Sequence, residues 1–214
     1  MTWLDDFLAE DCKNVHDMRR SGRDVLERLA GDRDLLTKLV DTIPDDPARM
    51  AASRVTLLLN RLSLYEAHGF EIRLNMNPRE DNQFVPHDHC YTFATRILRG
   101  GYVHVVRRRT DGWEGPFLGD DLEPAVVTVE RPGSTYVLEH SMVHQAVMQP
   151  DTVTLFIRGP RCKESSHAVE ELMPPVSAWP KAATPGGKPV DSRSATWDEY
   201  RAMRDYLHER SLID

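Results

Sequence analysis

The sequence predicts a mainly β protein in which one sandwich or barrel carries helices at both ends of the chain. The run 70–76, Phe-Glu-Ile-Arg-Leu-Asn-Met, alternates apolar and polar residues with the period of two that half-buried strands show. Glycine and proline turn signals separate it from several similar short runs, which is typical of a β-sandwich or barrel. The further predicted strands cover residues 91–98, 102–107, 125–130, 134–138 and 153–158.

Helices are predicted on either side of these strands. Val25, Leu26 and Leu29 share one helix face, and two prolines within 41–47 end one helix and begin the next. We expect three short helices between residues 4 and 59, the last over about 48–59, and a final amphipathic helix over about 195–207. The predicted organisation is a helical extension (1–61), a barrel (62–160) and a proline-rich tail ending in a helix (161–214).

Composition limits the size of the fold and the kind of partner. A chain of 214 residues, 40% of them hydrophobic, is long enough for one sizeable core with elaborations. Because 34 acidic residues exceed 27 Lys and Arg, the formal net charge is -7, and we expect neither a nucleic acid nor a membrane as partner. The acidic start and the lack of an 18-residue apolar run predict a cytoplasmic protein.

The cysteines fit the same compartment. Cys12, Cys90 and Cys162 are odd in number, far apart and without a CxxC pair, so no disulfide framework is expected. Cys90 follows His89 directly, but adjacent strand residues point to opposite faces, which favours a buried structural thiol over a metal ligand.

Two histidine-bearing segments indicate a metal site. His87 and His89 are two residues apart, a spacing that on a strand puts both imidazoles on one face. A second segment follows the turn Pro132-Gly133 and contains His140 and His144, either of which can complete the ligand set. His104 is a further rival, either as a ligand or as an acid-base group lining the pocket.

These segments resemble the two motifs of the cupin superfamily, a His-x-His followed by a glycine turn and a later His after a Pro-Gly turn. The resemblance covers roughly residues 62–160 and implies a double-stranded β-helix, or jelly-roll, barrel. It matches His87 and His89 to the first two metal ligands, Gly100 or Gly101 to the closing glycine, and His144 to the last ligand. The glutamate ligand usual in the family is replaced here, at Phe93 or Ala94.

Three histidines without a carboxylate narrow the likeness to the thiol-dioxygenase branch, of the cysteine dioxygenase type. That branch often has a Ser-His-Tyr relay, whose His and Tyr positions correspond here to Phe156 and Arg158. Its cysteine-tyrosine crosslink is also missing, because the cysteine position falls near Ala94. The resemblance therefore implies the same metal site acting on a different substrate.

The expected cofactor is Fe(II), although three imidazoles also suit Zn, Ni, Mn or Cu. Three protein ligands leave positions open, which is the mark of a catalytic metal rather than a structural one. With Fe(II), those positions can accept a substrate and O2 without another cofactor, and no nucleotide-binding glycine pattern occurs.

Arginines are candidates for substrate binding, since a guanidinium inside a barrel can hold a carboxylate or phosphate with two parallel hydrogen bonds. We expect Arg61, near the carboxylate-binding arginine of the resembled branch, to bind substrate together with Arg73 and Tyr91. Strand arginines more often face solvent, and this is the interpretation preferred for the run 107–109. His104, His140 and Arg158 are the candidate catalytic residues.

The sequence thus predicts a mononuclear Fe(II)-dependent oxygenase, a dioxygenase that uses O2 on a small polar or carboxylated molecule. Two alternatives stay open: a Zn, Ni or Mn isomerase, lyase or hydrolase on the same barrel, and a metal-binding cupin without catalysis. A homodimer is the expected assembly, by likeness to other cupin barrels.

Overall fold

The computed structural model of the protein describes Leu4 and residues 14–56, 59–77, 81–112, 115–169 and 192–214. The first helical region runs from α1 (Val15–Asp17) through a π-helical turn (Met18–Gly22) into α2 (Arg23–Gly31). The next two helices are α3 (Arg33–Asp41) and α4 (Pro47–Ala52), and a single helix, α5 (Trp197–Glu209), lies near the carboxyl end. Cys12 and most of the predicted proline-rich stretch lie outside the described residues.

Side-chain caps explain where these helices begin. The Asp32 side chain accepts from the backbone N–H of Leu35, and Asp46 accepts from those of Ala48 and Arg49. Pro47 occupies the first turn of α4, where its missing N–H costs nothing. The helix predicted over 48–59 is shorter than expected, because the backbone is already extended at Ser53 and pairs as a strand at Arg54.

The strands form two antiparallel sheets. Sheet A has the order β11-β1-β2-β3-β10-β5-β8, and sheet B has the order β4-β9-β6-β7. The strands of sheet A are β1 (Arg54–Val55), β2 (Asn60–Ala67), β3 (Phe70–Asn77), β5 (Tyr91–Arg99), β8 (Thr135–Leu138), β10 (Thr152–Arg161) and β11 (Arg193–Ser194). Those of sheet B are β4 (Asp81–His87), β6 (Tyr102–Arg109), β7 (Leu122–Glu130) and β9 (Val143–Met148).

The pairing order defines the fold class. Strands β3 to β10 pair from the outside inwards, β3 with β10, β4 with β9, β5 with β8 and β6 with β7. One long antiparallel ribbon, bent back on itself and rolled so that its pairs alternate between two sheets, produces this pattern, which is the jelly roll. The predicted mainly β jelly-roll barrel with helices at both ends is therefore confirmed.

The largest apolar core lies between sheet A and the helices, outside the barrel. Because side chains alternate along a strand, Ala94 of β5 belongs to this core while its neighbour Phe93 points into the barrel. Gly22 brings the π-helical turn close to the sheet: a Cβ there would lie 3.4 Å from the Cβ of Ala94. The core members from the sheet are Leu62, Leu64, Phe70, Ile72, Leu74, Met76, Ala94, Val153, Leu155 and Ile157, and those from the helices include Leu26, Leu29, Leu36, Leu39, Tyr200, Met203 and Leu207.

The inner face of sheet A is polar by comparison. Cross-strand register places Arg73 of β3 opposite both Ser63 of β2 and Phe156 of β10. Glu71 and Asn75, two residues to either side, share this face. Sheet A is thus covered by an apolar core on one side and turns charged and polar groups into the barrel on the other.

None of the helices in the described part of the chain is both long and apolar enough to cross a membrane. The division of the chain into three parts at residues 61 and 160 stays a prediction. Strand pairing connects the predicted first and third parts, because β11 pairs with β1 at the edge of sheet A.

Candidate metal centre

His87 is the last residue of β4, so the strand ends where the site begins. Its Nδ1 lies 2.9 Å from the carbonyl oxygen of Val85. Because a carbonyl can only accept, Nδ1 carries the proton and Nε2 keeps a lone pair for a ligand. His89 lies beyond the end of the strand, which corrects the expectation that one strand presents both imidazoles.

His144 completes the group from the neighbouring strand. It lies on β9 directly opposite His87 in the register, and its Nε2 is 2.8 Å from the Nε2 of His89. One ligand atom from each of the three histidines lies within 4.8 Å of the others. Two nitrogens about 2.1 Å from one ion and at right angles to each other are about 3 Å apart, so this spacing suits a shared metal.

Burial keeps the three imidazoles in the form that binds metals. It lowers the pKa of His87, and it lowers the pKa values of His89 and His144 well below their ordinary value. Positive charge on neighbouring histidines lowers the pKa of His89 and of His144 further. Neutral, converging nitrogens without a carboxylate suit Fe, Zn, Ni or Cu, and so the residues present fit a divalent transition metal.

His104 lies behind the group rather than in it. Its Nε2 is 2.9 Å from the Nδ1 of His144, and its Nδ1 is 3.9 Å from the Glu130 carboxylate, which accepts from Thr128. Burial lowers the pKa of His104 to about 4. This arrangement makes His104 a supporting partner of His144, and its predicted role as an acid-base group stays untested.

The other histidine rival is separated from the group by a turn. His140 lies between β8 and β9, where the backbone N–H of Met142 donates to the carbonyl of Glu139. The segment therefore bends, and His140 does not share the strand face of His144. Among the described residues, the three-histidine group does not include His140. The predicted catalytic role of His140 stays a prediction.

Aromatic rings form a wall beside the three histidines. The rings of Tyr91 and Phe93 lie 5.4 and 4.8 Å from that of His89. Phe156 stacks on Phe93 at 4.9 Å and is 7% exposed. The residue at the relay position of the resembled branch therefore belongs to the wall of this site.

Two arginines pack against the rings of that wall. The guanidinium of Arg73 is 4.2 Å above the Phe156 ring, and that of Arg158 is 5.6 Å above the Tyr91 ring. Both approach the same oxygen of Glu71, at 3.3 and 3.5 Å. Arg61 is half-buried nearby, with one nitrogen 3.4 Å from the Ser192 hydroxyl. The structure thus brings the predicted substrate-binding residues Arg61, Arg73 and Tyr91 to one region.

A buried ionic network, which the sequence did not predict, holds the loop between the first two histidines. Asp88 is 1% exposed, and its carboxylate accepts from the Lys163 ammonium at 2.5 Å and from the backbone N–H of His167 at 2.7 Å. Arg109 approaches the same carboxylate at 3.7 Å. The run 107–109 was expected to face solvent, but Arg109 is buried here. The sequence feature that pointed to it was Asp88 itself, an acidic residue between the two candidate ligands His87 and His89.

Cys90 behaves as predicted. It is 7% exposed, and it is a free thiol.

Comparison with known proteins adds solved structures only. No family model matches the sequence, and no curated protein matches it. The structure of KdgF from Halomonas sp. is 17% identical, with a TM-score of 0.38, and the match covers 50% of this chain and 84% of that one. An RmlC-like cupin from Desulfovibrio desulfuricans is 19% identical, with a TM-score of 0.34, over 48% of this chain and 83% of that one.

A third similar structure is a metal complex. Hydroquinone 1,2-dioxygenase PnpCD, solved with Cd²⁺ and 4-hydroxybenzonitrile, is 8% identical, with a TM-score of 0.35, over 45% of this chain and 61% of that one. Likenesses this low carry no functional argument, and the likeness to the thiol-dioxygenase branch stays a prediction. On the strand order of its own sheets, the chain is a jelly-roll barrel with a group of three histidines inside it.

Proposed function

We propose that the protein is a mononuclear Fe(II)-dependent oxygenase, a dioxygenase that acts on a small polar or carboxylated molecule with O2. The convergence of three neutral imidazoles from His87, His89 and His144 inside the barrel is the observation that carries this proposal. Three ligands leave coordination positions open. Fe(II) bound there would supply the redox chemistry that a reaction with O2 requires.

The residues around the ligands have separate roles in this proposal. The Nδ1–H of His144 donates to His104, which fixes the tautomer and direction of the ligand. Phe93 and Phe156 exclude water from the side of the site that they cover. Arg73 binds an anionic group of the substrate, and Tyr91 shapes the space between that group and His89.

The wall also sets an expectation about the substrate. Phe156 cannot give or take a proton, and the side chain of Arg158 offers hydrogen-bond donors but no acceptor. The proton relay of the resembled branch therefore has no counterpart at these two positions. We expect oxidation of cysteine itself to be slow, and an acidic molecule other than cysteine to be the substrate.

Metal analysis combined with oxygen uptake tests the proposal. Protein purified without chelators and reconstituted anaerobically with Fe(II) should contain one ion per chain and consume oxygen with one of a panel of small carboxylic and amino acids. His87→Ala and His89→Ala should lose the stoichiometric metal, and His16→Ala, a change in a histidine outside the barrel, should keep it.

Each other outcome assigns a different function. Turnover that persists without oxygen, with Zn, Ni or Mn bound, would identify an isomerase, lyase or hydrolase. Stoichiometric metal without turnover of any substrate would favour a non-catalytic cupin. Rapid, stoichiometric formation of cysteine sulfinic acid would overturn the expectation about the substrate.

A further inference from the structure

The inner face of sheet A collects positive charge next to the three histidines. Arg61 and Ser63 lie on β2, and the register places Ser63 beside Arg73 on β3. Arg73 is 8% exposed, and its guanidinium covers the Phe156 ring at 4.2 Å. Phe156 stacks on Phe93, which contacts the His89 ring at 4.8 Å. The guanidinium of Arg73 is thus two aromatic rings away from a candidate metal ligand.

The charges in this region do not balance. Glu71 is the buried carboxylate here, and it is shared, since Arg73 and Arg158 both approach its Oε2. Arg158 also reaches Glu66 at 3.8 Å, but the Glu66 side chain is 52% exposed, so water screens that pair. Within the described residues, Arg61 has the Ser192 hydroxyl as its hydrogen-bond partner, while Glu71 attracts it without forming an ion pair.

The pKa of Arg61 reflects the same excess of positive charge. Burial, and then the positive charge of Arg73, lower the pKa of Arg61 to about 10, which still leaves the guanidinium charged at neutral pH. A buried charge is costly unless an opposite charge and hydrogen bonds compensate it.

Hydrogen-bonding capacity is also left over. Among the described residues, the buried Nε atoms of Arg61 and Arg73, the hydroxyl of Ser63 and the side-chain oxygen of Asn75 have no hydrogen-bond partner. All four side chains belong to neighbouring positions of β2 and β3, because Arg61 pairs with Asn75 and Ser63 pairs with Arg73. Buried polar groups in native proteins are almost always paired, so an unmet set of this kind requires a partner, which a bound ligand would supply.

We propose that Arg61 and Arg73 together bind a dianionic group, a phosphate ester or a pair of adjacent carboxylates, with Ser63 and Asn75 as further hydrogen-bond partners. The guanidiniums of Arg61, Arg73 and Arg158 share one buried carboxylate, that of Glu71, so two positive charges are left over, and a dianion neutralises both. Each guanidinium can donate two parallel hydrogen bonds to such a group. This inference deepens the proposed function, on which it rests only for the claim that the dianion is part of the substrate.

Calorimetric titration of the metal-free protein tests the anion site apart from any catalysis. At pH 7.5 and low ionic strength, inorganic phosphate or malonate should bind at least tenfold more tightly than acetate. Comparison of phosphate with malonate identifies which kind of dianion fits. Arg61→Gln and Arg73→Gln should each weaken binding of the preferred dianion at least tenfold, and Arg73→Lys should weaken it less, because the charge stays while the two-pronged geometry is lost.

Arg108→Gln is the matched control, since Arg108 is exposed and pairs with Glu123 on the strand surface. The affinity of this variant for the dianion should equal that of the unmodified protein. Circular dichroism checks the fold of each variant, and if Arg73→Gln does not fold, Arg61→Gln and Arg73→Lys decide the question.

Three results would overturn the proposal: no binding of either dianion, equal affinity for acetate, or full affinity in both Arg61→Gln and Arg73→Gln. Metal content measured on the same preparations before the metal is removed keeps failure of the anion site distinct from failure of the metal proposal.

Discussion

The proton on the Nδ1 atom of His144 determines what His104 does. If Nε2 of His144 binds the metal, Nδ1 must carry the proton, and Nε2 of His104, 2.9 Å away, must accept a hydrogen bond from it. The proton of His104 then resides on Nδ1, which faces the Glu130 carboxylate at 3.9 Å. A carboxylate, two imidazoles and the metal position form one chain, in which the outer members orient the ligand.

We expect His104→Ala to weaken metal affinity about 10- to 100-fold while one ion per chain still binds at saturation. His104→Gln should recover part of the loss, because an amide oxygen can accept from the Nδ1–H of His144. Competition with a metal indicator measures both affinities. Unchanged affinity in His104→Ala would remove the positioning role, and complete loss of metal would make His104 a ligand.

At the residue scale, what could be predicted depended on distance along the chain. The pair His87 and His89 could be recognised in the sequence because the two histidines are only two positions apart. The resemblance to cupins added His144. The position of Asp88 between two candidate ligands was visible, but its partner Lys163 could not be predicted, since it is 75 positions away and only the fold brings it close. Arg109 was expected to face solvent for the same reason.

At the element scale, the turn between β5 and β6 depends on two glycines. Gly100 has φ +69° and Gly101 has φ +151°, conformations that side chains rarely adopt. A Cβ on Gly101 would lie 2.2 Å from the carbonyl oxygen of Glu130, and one on Gly100 would lie 2.5 Å from the Thr152 hydroxyl. The chain passes here from β5 of sheet A to β6 of sheet B, and a side chain at either glycine would collide, at Gly100 with β10 and at Gly101 with β7.

Gly101→Ala should destabilise the protein by at least about 2 kcal/mol, because the added methyl group collides with backbone and the φ angle is strained. Gly31→Ala is the control, since a Cβ there meets nothing within 4 Å, and it should be neutral or stabilising by up to about 1 kcal/mol at a helix end. Urea unfolding of both variants measures the difference. Equal stability of the two would mean that the turn adapts to a side chain.

Helix α5 begins with a capping box that is also an ion pair. The Thr196 side chain accepts from the backbone N–H of Glu199, and the Glu199 carboxylate accepts from the backbone N–H of Thr196 at 2.9 Å and from the Arg193 guanidinium at 2.7 Å. The hydrogen bond from Arg193, followed by that from Thr196, lowers the pKa of Glu199 to about 2.

Because this pKa is lower in the folded protein, the stability that Glu199 contributes is present above about pH 4.5 and is lost as pH falls towards about 2. Glu199→Gln should therefore cost about 1 kcal/mol at pH 7, the usual value of a helix cap with a partly exposed ion pair. The gap to the unmodified protein should narrow between pH 4.5 and 3, as thermal unfolding at several pH values can show. Glu209→Gln, at the other end of α5, is the control, and a gap that does not change with pH would contradict the explanation.

Strand prediction succeeded where alternation was strong and failed where the site interrupts it. The runs at 70–76 and 91–98 became β3 and β5 with nearly the same bounds. Strand β4 reads Asp-Asn-Gln-Phe-Val-Pro-His, which has too few apolar residues and a proline, and it was not predicted. Its position is specified by pairing with β9, which is tertiary information.

At the scale of the whole molecule, stability and chemistry lie on opposite faces of sheet A. The largest core is formed by the outer face of that sheet with the helices, and it includes the fully buried Leu62, Leu74 and Leu155. The three histidines lie inside the barrel, near the smaller cluster of Phe93, Leu138 and Phe156. The helices therefore stabilise the sheet from behind, while its inner face is available for polar and charged groups.

The outer face of sheet B differs, since Val103, Val127 and Val129 are 39%, 66% and 56% exposed there. The homodimer expected from the resemblance to cupin barrels stays a prediction, and this exposed apolar surface is where its interface can be tested.

Because the main core does not involve the histidines, removal of the metal should leave the fold in place. Chelated protein should keep its far-ultraviolet circular dichroism and unfold cooperatively, with a loss of stability limited to the free energy of metal binding at the concentration used. Leu155→Ala, a change in the core on the other face of the same sheet, should cost about 2 to 5 kcal/mol whether or not metal is bound. Thermal unfolding of both proteins, with and without Fe(II) under anaerobic conditions, provides the comparison.

Chelated protein without cooperative unfolding would mean that the ion organises the barrel, as zinc does in zinc fingers. The separation of stability from chemistry across sheet A would then be wrong.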